Sequence, residues 1–172
     1  DLENWGADAT KVGIAAGKAC TTYGQTGFGA PMFTCIQECA DIATKPIIAD
    51  GGIGTNGDFA KAIVAGGTMV MAGSIFAACI DSPAETVYRE IITNELSNRG
   101  TGKIIVKPYK TYYGSASAKN KGANVHVEGC VVELECNNMT YAEKLHEITE
   151  SLQSSISYAG GDFTEVEYGI RN

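Results

Sequence analysis

Before Pro83 the apolar residues fall into short blocks, most of them closed by glycine or proline, and the blocks alternate between two spacings. Ala9 to Ile14 reads as a short strand that runs into the small residues Ala15-Ala16-Gly17. From Met32 to Thr44, Phe33, Ile36, Ala40 and Ile42/Ala43 recur at helical spacing opposite Gln37, Glu38 and Asp41, which predicts one amphipathic helix ended by Pro46. Ile47-Ile48-Ala49 is apolar throughout, as expected of a strand buried on both faces of a parallel sheet, and runs into Asp50-Gly51-Gly52-Ile53. A second helix is predicted from Asn56, whose amide caps it, over Asp58 to Val64, closing at Ala65-Gly66-Gly67. Thr68 to Ala72 is a third strand, Gly73-Ser74 its loop, and Ile75 to Cys79 a further helical run. Three such units imply right-handed βα crossovers whose loops share the C-terminal edge of one parallel sheet, where α/β proteins place ligands.

Beyond Pro83 the pattern changes. Glu85 to Leu96 reads as a helix or an extended arm, Asn98 to Gly102 as a turn, and Lys103 to Lys107 as a strand, together a hairpin-like insertion. Ala118 to Asn124 is polar and reads as a flap leading to Val125-His126-Val127-Glu128-Gly129. Tyr141 to Leu152 is amphipathic, with Leu145, Ile148 and Leu152 inward and Glu143, Glu147 and Glu150 outward; Ser154 to Gly161 reads as a small-residue loop. The expected division is 1–82 for the βα units, 83–140 for insertion and flap, and 141–172 for a terminal helix and tail that pack with the first part.

The 172 residues suffice for one sizeable core. A net charge of −7, with no cluster of Lys and Arg, excludes a nucleic-acid backbone as partner. No apolar run reaches membrane-spanning length and Asp1-Leu2-Glu3-Asn4-Trp5 does not read as a signal peptide, so a soluble chain is expected. The six cysteines are scattered without a CxxC pair, which fits a reducing cytoplasm. Cys35 and Cys39 are i,i+4 on a helix, either half of a metal site or two packed thiols; packing is favoured because no histidine is near.

Cys20 differs from the other five. It follows a glycine-bearing strand end and is succeeded by the hydroxyls of Thr21 and Thr22, a setting for a nucleophilic thiolate that Lys18 favours if it points the same way. The competing reading is one more buried cysteine. Asp50-Gly51-Gly52 either turns the chain or lines a ligand site, and Glu128 is either a site acid or a solvated charge.

Val12-Gly13-Ile14-Ala15-Ala16-Gly17-Lys18-Ala19-Cys20-Thr21-Thr22, Pro46-Ile47-Ile48-Ala49-Asp50-Gly51-Gly52-Ile53, Met69-Val70-Met71-Ala72-Gly73-Ser74, Tyr113-Gly114-Ser115-Ala116-Ser117 and Ser154-Ser155-Ile156-Ser157-Tyr158-Ala159-Gly160-Gly161 together resemble the C-terminal half of the IMP dehydrogenase/GMP reductase family. The Gly-Ser-Ala-Ser form, the serine-rich terminal stretch and a flap without an Arg-Tyr pair place the chain nearer the reductase branch. The resemblance implies the C-terminal part of a (βα)8 TIM barrel, about three βα units with a hairpin and flap insertion, against about 250 residues for a whole barrel. It implies that Cys20 attacks C2 of a purine nucleotide to give a thioimidate, that Thr22 and Glu128 assist the leaving amine, and that NADPH then delivers hydride, turning GMP into IMP. It further implies that Asp50, Gly51, Gly52, Gly73 and Ser74 hold ribose and phosphate, that Gly114, Ser115, Ala116 and Gly129 touch the base, and that Ser154, Ser155, Ile156 and Ser157 touch NADPH. A monovalent cation such as K+ would sit on the backbone carbonyls of Ala15, Gly17 and Cys20. Ala15 departs from the family's Gly-x-Gly and places the tight turn there in question, and the connection from Glu85 to Tyr113 is longer than is common in reductases. Two open sheet edges imply a completing half-barrel chain or a homo-oligomer. The alternatives are a dehydrogenase of the same family and a non-catalytic half-barrel that binds nucleotide or serves as a structural subunit.

Overall fold

Three parallel strands, β1 (Thr10–Val12), β2 (Ile47–Asp50) and β3 (Met69–Met71), form the first sheet of the computed structural model, which describes residues 1–96 and 102–161. The expected turn at Asn98 to Gly102, except Gly102 itself, and the tail beyond Gly161 lie outside the described residues. The strands stand in sequence order, all parallel, with Val12 beside Ala49 and Ala49 beside Val70, as successive βα units produce.

The helices are α1 (Thr22–Thr26), α2 (Met32–Ala40), α3 (Asn56–Val64), α4 (Ser74–Ala77), α5 (Ala118–Lys121) and α6 (Tyr141–Tyr158). One face of the sheet packs on them. Val12, Ile47 and Ala49 meet Ile36 of α2, Phe59 and Ala62 of α3, Ile75 of α4 and Ile148 of α6 in a single core. Burying each large side chain there contributes about 1.5–3 kcal/mol, which outweighs the weak propensity of such short elements. The edge-to-face pair Phe59–Phe76, with centroids 6.5 Å apart, extends the core toward Tyr141.

The other face of the same sheet is open. Lys11, Met69 and Met71 are exposed there, Met69 at 60% and Met71 at 45%, while Ile48 and Asp50 are half-buried. The expectation that Ile47-Ile48-Ala49 is buried on both faces therefore holds for Ile47 and Ala49 only, because none of the described residues covers the second face.

Several boundaries differ from the sequence expectation. The cap of α3 is Thr55 and not Asn56: Asp58 Oδ2 accepts the N–H of Thr55 at 2.8 Å and also its hydroxyl. Asn56 is the first helical residue, and its side chain donates instead to Ser151 Oγ at 3.0 Å. Burial pushes the Asp58 carboxyl up, but the donors from Thr55 and Gly54 outweigh it and hold the group below the usual carboxylate value. Helix α2 stops at Ala40, which leaves Ile42 exposed, and Leu145 on α6 is exposed where an inward position was expected. A short helix, α1, opens the glycine-rich segment after Cys20 and ends on left-handed Gly27.

Helix α6 continues six residues beyond Leu152, so Ser154 to Ser157 are helical and not a loop. Their hydroxyls explain the difference, since serines satisfy themselves against the preceding turn: Ser151 Oγ donates to Glu147 O and Ser155 Oγ to Ser151 O, each at 2.9 Å. The start of α6 is a capping box in which Thr140 N–H donates to Glu143 Oε2 at 2.7 Å.

The insertion is an antiparallel meander of β4 (Thr86–Leu96), β5 (Gly102–Tyr113) and β6 (Val131–Glu135). Of the two readings for Glu85 to Leu96 the extended arm is the observed one, favoured by Thr86, Val87, Tyr88, Ile91 and Ile92. Ion pairs from Arg89 to Glu133 and from Lys107 to Glu135 tie the three strands on one face. Lys110, only 4% exposed, donates to the carbonyls of Ser82 and Ala84 at 3.0 and 3.3 Å and so fastens the root of the hairpin to the end of the first sheet's last crossover.

Candidate active site

The loop after β1 is shaped by close backbone approaches. A Cβ on Gly13 would lie 1.8 Å from the carbonyl oxygen of Asp50, so only glycine lets β1 end against β2 there. Ala15 has φ of 65°, in the left-handed region. The tight turn placed in question by the loss of a glycine is thus kept, with an alanine under strain of about 1–2 kcal/mol. Ala15→Gly is accordingly expected to raise stability by about 1 kcal/mol in urea unfolding; an unchanged midpoint would show that the left-handed conformation is not the one held in solution.

Past Ala15 the chain turns again, Cys20 N–H donating to Gly17 O at 2.9 Å. It then meets the flap edge to edge. Cys20 pairs antiparallel with Gly129; Thr21 N–H donates to Glu128 O at 3.0 Å and Cys130 N–H to Ala19 O at 2.8 Å. This pairing brings Glu128 to Thr22 across 106 positions of sequence. The Cys20 thiol donates to Thr22 Oγ1 at 3.2 Å, and that hydroxyl donates to Glu128 Oε2 at 2.8 Å. Thiol, hydroxyl and carboxylate form one half-buried chain along which a proton can move.

The base-contact candidates assemble around this chain. Glu128 N–H donates to Ala116 O at 3.2 Å, Ser117 N–H to Gly114 O at 3.0 Å, and Gly114 lies against the Ala19 carbonyl, 3.2 Å from where its Cβ would be. Ser115 is exposed beside them, and Gly129 is packed so closely on Ser117 that a Cβ would reach its nitrogen at 2.9 Å.

A cavity of about 490 Å³ opens at the C-terminal ends of β2 and β3. Asp50, Gly51, Gly52, Gly73 and Ser74, all five ribose and phosphate candidates, line it. Lys18 and Tyr112 line it too; neither stood among the candidates for this part of the site. Lys18 was read only for its influence on Cys20, and Tyr112 reaches the cavity from β5, with its phenol 2.5 Å from where a Cβ on Gly73 would stand. No sequence spacing signals either. Asp50 is held by an ion pair with Lys11 on the open face of the sheet. A larger cavity, about 890 Å³, lies on the other side of Tyr112 between α4, the 81–85 segment and the start of α6.

None of Ser154, Ser155, Ile156 and Ser157 lines the 490 Å³ cavity; they occupy the last turns of α6, with Ser154 and Ser157 exposed. Among the described residues no group of three or more His, Cys, Asp and Glu is placed to hold a metal ion. Cys35 and Cys39 pack against the core, and burial together with Cys35 and Glu38 pushes the Cys39 thiol up, as for a packed and unreactive pair. No helix among the described residues is long and apolar enough to cross a membrane.

A parallel α/β sheet with a glycine-walled cavity at its C-terminal edge, and a hydrogen-bonded cysteine near it, is the arrangement in which α/β folds take small-molecule ligands. The comparison with known proteins is specific: residues 1–166 match the IMP dehydrogenase / GMP reductase domain, and the chain belongs to that family. It is 49% identical to a GMP reductase of Acidovorax sp. over 99% of its length and 50% identical to one of Leptothrix cholodnii over the same share. A GMP reductase of Chromobacterium violaceum is 47% identical over 94% of the chain. The chain spans about half the length of these curated relatives, 49% of the first two and 46% of the third.

Proposed function

We propose that this chain is the catalytic-loop half of a GMP reductase, acting within a complete (βα)8 barrel on GMP with NADPH. The hydrogen-bonded chain Cys20–Thr22–Glu128 carries this reading. The thiol proton passes through Thr22 to Glu128 as Cys20 Sγ bonds to C2 of the purine. Glu128 then returns that proton through Thr22 to the amine at C2. Ammonia leaves with the C2–N bonding pair, and the base is left as a thioimidate on Cys20. Bound NADPH supplies the hydride that reduces C2, and Cys20 departs as thiolate and is reprotonated, leaving IMP.

Asp50 would accept the ribose hydroxyls, and its ion pair with Lys11 supports that role by holding the carboxylate in position. Gly51, Gly52, Gly73 and Ser74, which line the cavity, would take the phosphate end, and Gly114, Ser115, Ala116 and Gly129, gathered beside the Cys20–Thr22–Glu128 chain, would border the base. For NADPH, the exposed hydroxyls of Ser154 and Ser157 are free to meet the dinucleotide, whereas that of Ser155 is already donated to Ser151 O. On the same reading a monovalent cation would sit on the carbonyls of Ala15, Gly17 and Cys20, of which Gly17 O already accepts the Cys20 N–H and retains one lone pair. Exposed Met69 and Met71 support completion of the barrel by the remaining βα units, or by another copy, over the open face.

The test is steady-state turnover of the assembled protein. NADPH is consumed and ammonia released when GMP is added; NAD+ reduction with IMP, and no reaction of GMP, would move the assignment to a dehydrogenase. Neither reaction, with nucleotide still bound, would leave a binding subunit.

A further inference from the structure

We propose that Lys18 is the cation that selects a phosphomonoester in the glycine-walled cavity, an inference that rests on the nucleotide reading above and names the part of the ligand this residue recognises. Two ionisable groups with formal charge near neutral pH line the cavity, Lys18 and Asp50. The Asp50 carboxylate is already compensated by Lys11. Lys18 makes no ion pair among the described residues, so the cavity is left with one uncompensated positive charge in a chain whose net charge is −7. That local inversion of sign favours an anion in this cavity.

The backbone makes the side chain more important. Glycine N–H groups would ordinarily share the work of holding phosphate oxygens, but Gly52 N–H is donated to Ala16 O at 3.0 Å. Lys18 stands at the tip of the turn closed by Cys20 N–H and Gly17 O, exposed, on a four-carbon stem that can follow a ligand. The hydroxyls of Ser74 and Tyr112 face the same cavity from its other walls. Three donors, one of them charged, thus surround a volume with no free carboxylate. A doubly charged phosphate at the end of a sugar fits that set, and a neutral nucleoside leaves the ammonium without a counter-charge.

The experiment is calorimetric titration of the assembled protein with GMP, guanosine and ribose 5-phosphate, using wild type, Lys18→Met and Lys18→Arg. Lys18→Met is expected to weaken GMP and ribose 5-phosphate by about 10- to 100-fold, the range of one charge-assisted hydrogen bond, and to leave guanosine unchanged. Lys18→Arg should restore both phosphates to within about threefold of wild type, since the charge is kept. Wild type that binds ribose 5-phosphate through Lys18 but fails to bind GMP would sink the purine reading and leave the assignment of Lys18 standing. Unchanged phosphate affinity in Lys18→Met, or no phosphate binding by wild type, would overturn it.

Discussion

Replacing Cys20 by alanine is expected to reduce turnover of the assembled protein by roughly 10⁴-fold or more while GMP binding stays within a few fold. The variant deletes the atom that bonds to C2, yet Cys20 does not itself line the 490 Å³ cavity, and alanine keeps its N–H bond to Gly17 O. Limiting iodoacetamide near neutral pH should label Cys20 before the other thiols, and GMP should protect it. The structure makes this a contest with one rival. Cys79 and Cys136 are buried, and Cys35 and Cys39 are packed on the core with the Cys39 thiol pushed up. Cys130 is half-buried on the flap next to Cys20's pairing partner Gly129. Peptide mapping that finds Cys130 modified ahead of Cys20, unprotected by millimolar GMP, would remove Cys20 from the mechanism.

The second large effect is on the fold. Gly13→Ala should cost about 3 kcal/mol or more, because the new methyl meets the Asp50 carbonyl carbon at 2.8 Å as well as its oxygen, and neither strand can give without parting β1 from β2. The loss would displace Asp50 and the loop that bears Cys20 together. Gly24→Ala is the control, since a Cβ there meets nothing within 4 Å. Urea midpoints that fall equally in the two variants, or in neither, would show that the strand ends are not in the contact described.

How much of this was legible beforehand depended on the distance over which each feature is determined. The three βα units were readable because their apolar periods and closing glycines are local. The relay was different in kind: Thr22 and Glu128 are joined by pairing between two loops, and only resemblance to a family put them on the same page. Ser154 to Ser157 misled because serine is at home both in loops and, bonded back to the preceding turn, in a helix. Asn56 misled because Thr55, next to it, is an equally good cap and had Asp58 at the right spacing. Lys18 and Tyr112 gave no signal at all, since a loop turn and the register of β5 decide where they point.

The relay is made by a seam and not by a scaffold. Glu128 reaches Thr22 only while Thr21 N–H holds Glu128 O and Cys130 N–H holds Ala19 O. Those two main-chain bonds zip the flap edge to the loop that bears Cys20, so any motion that parts them also carries the acid away from the thiol. In the proposed reaction the thiol would then have its base only while the two bonds are made, so the seam between loop and flap would act as the switch of the nucleophile.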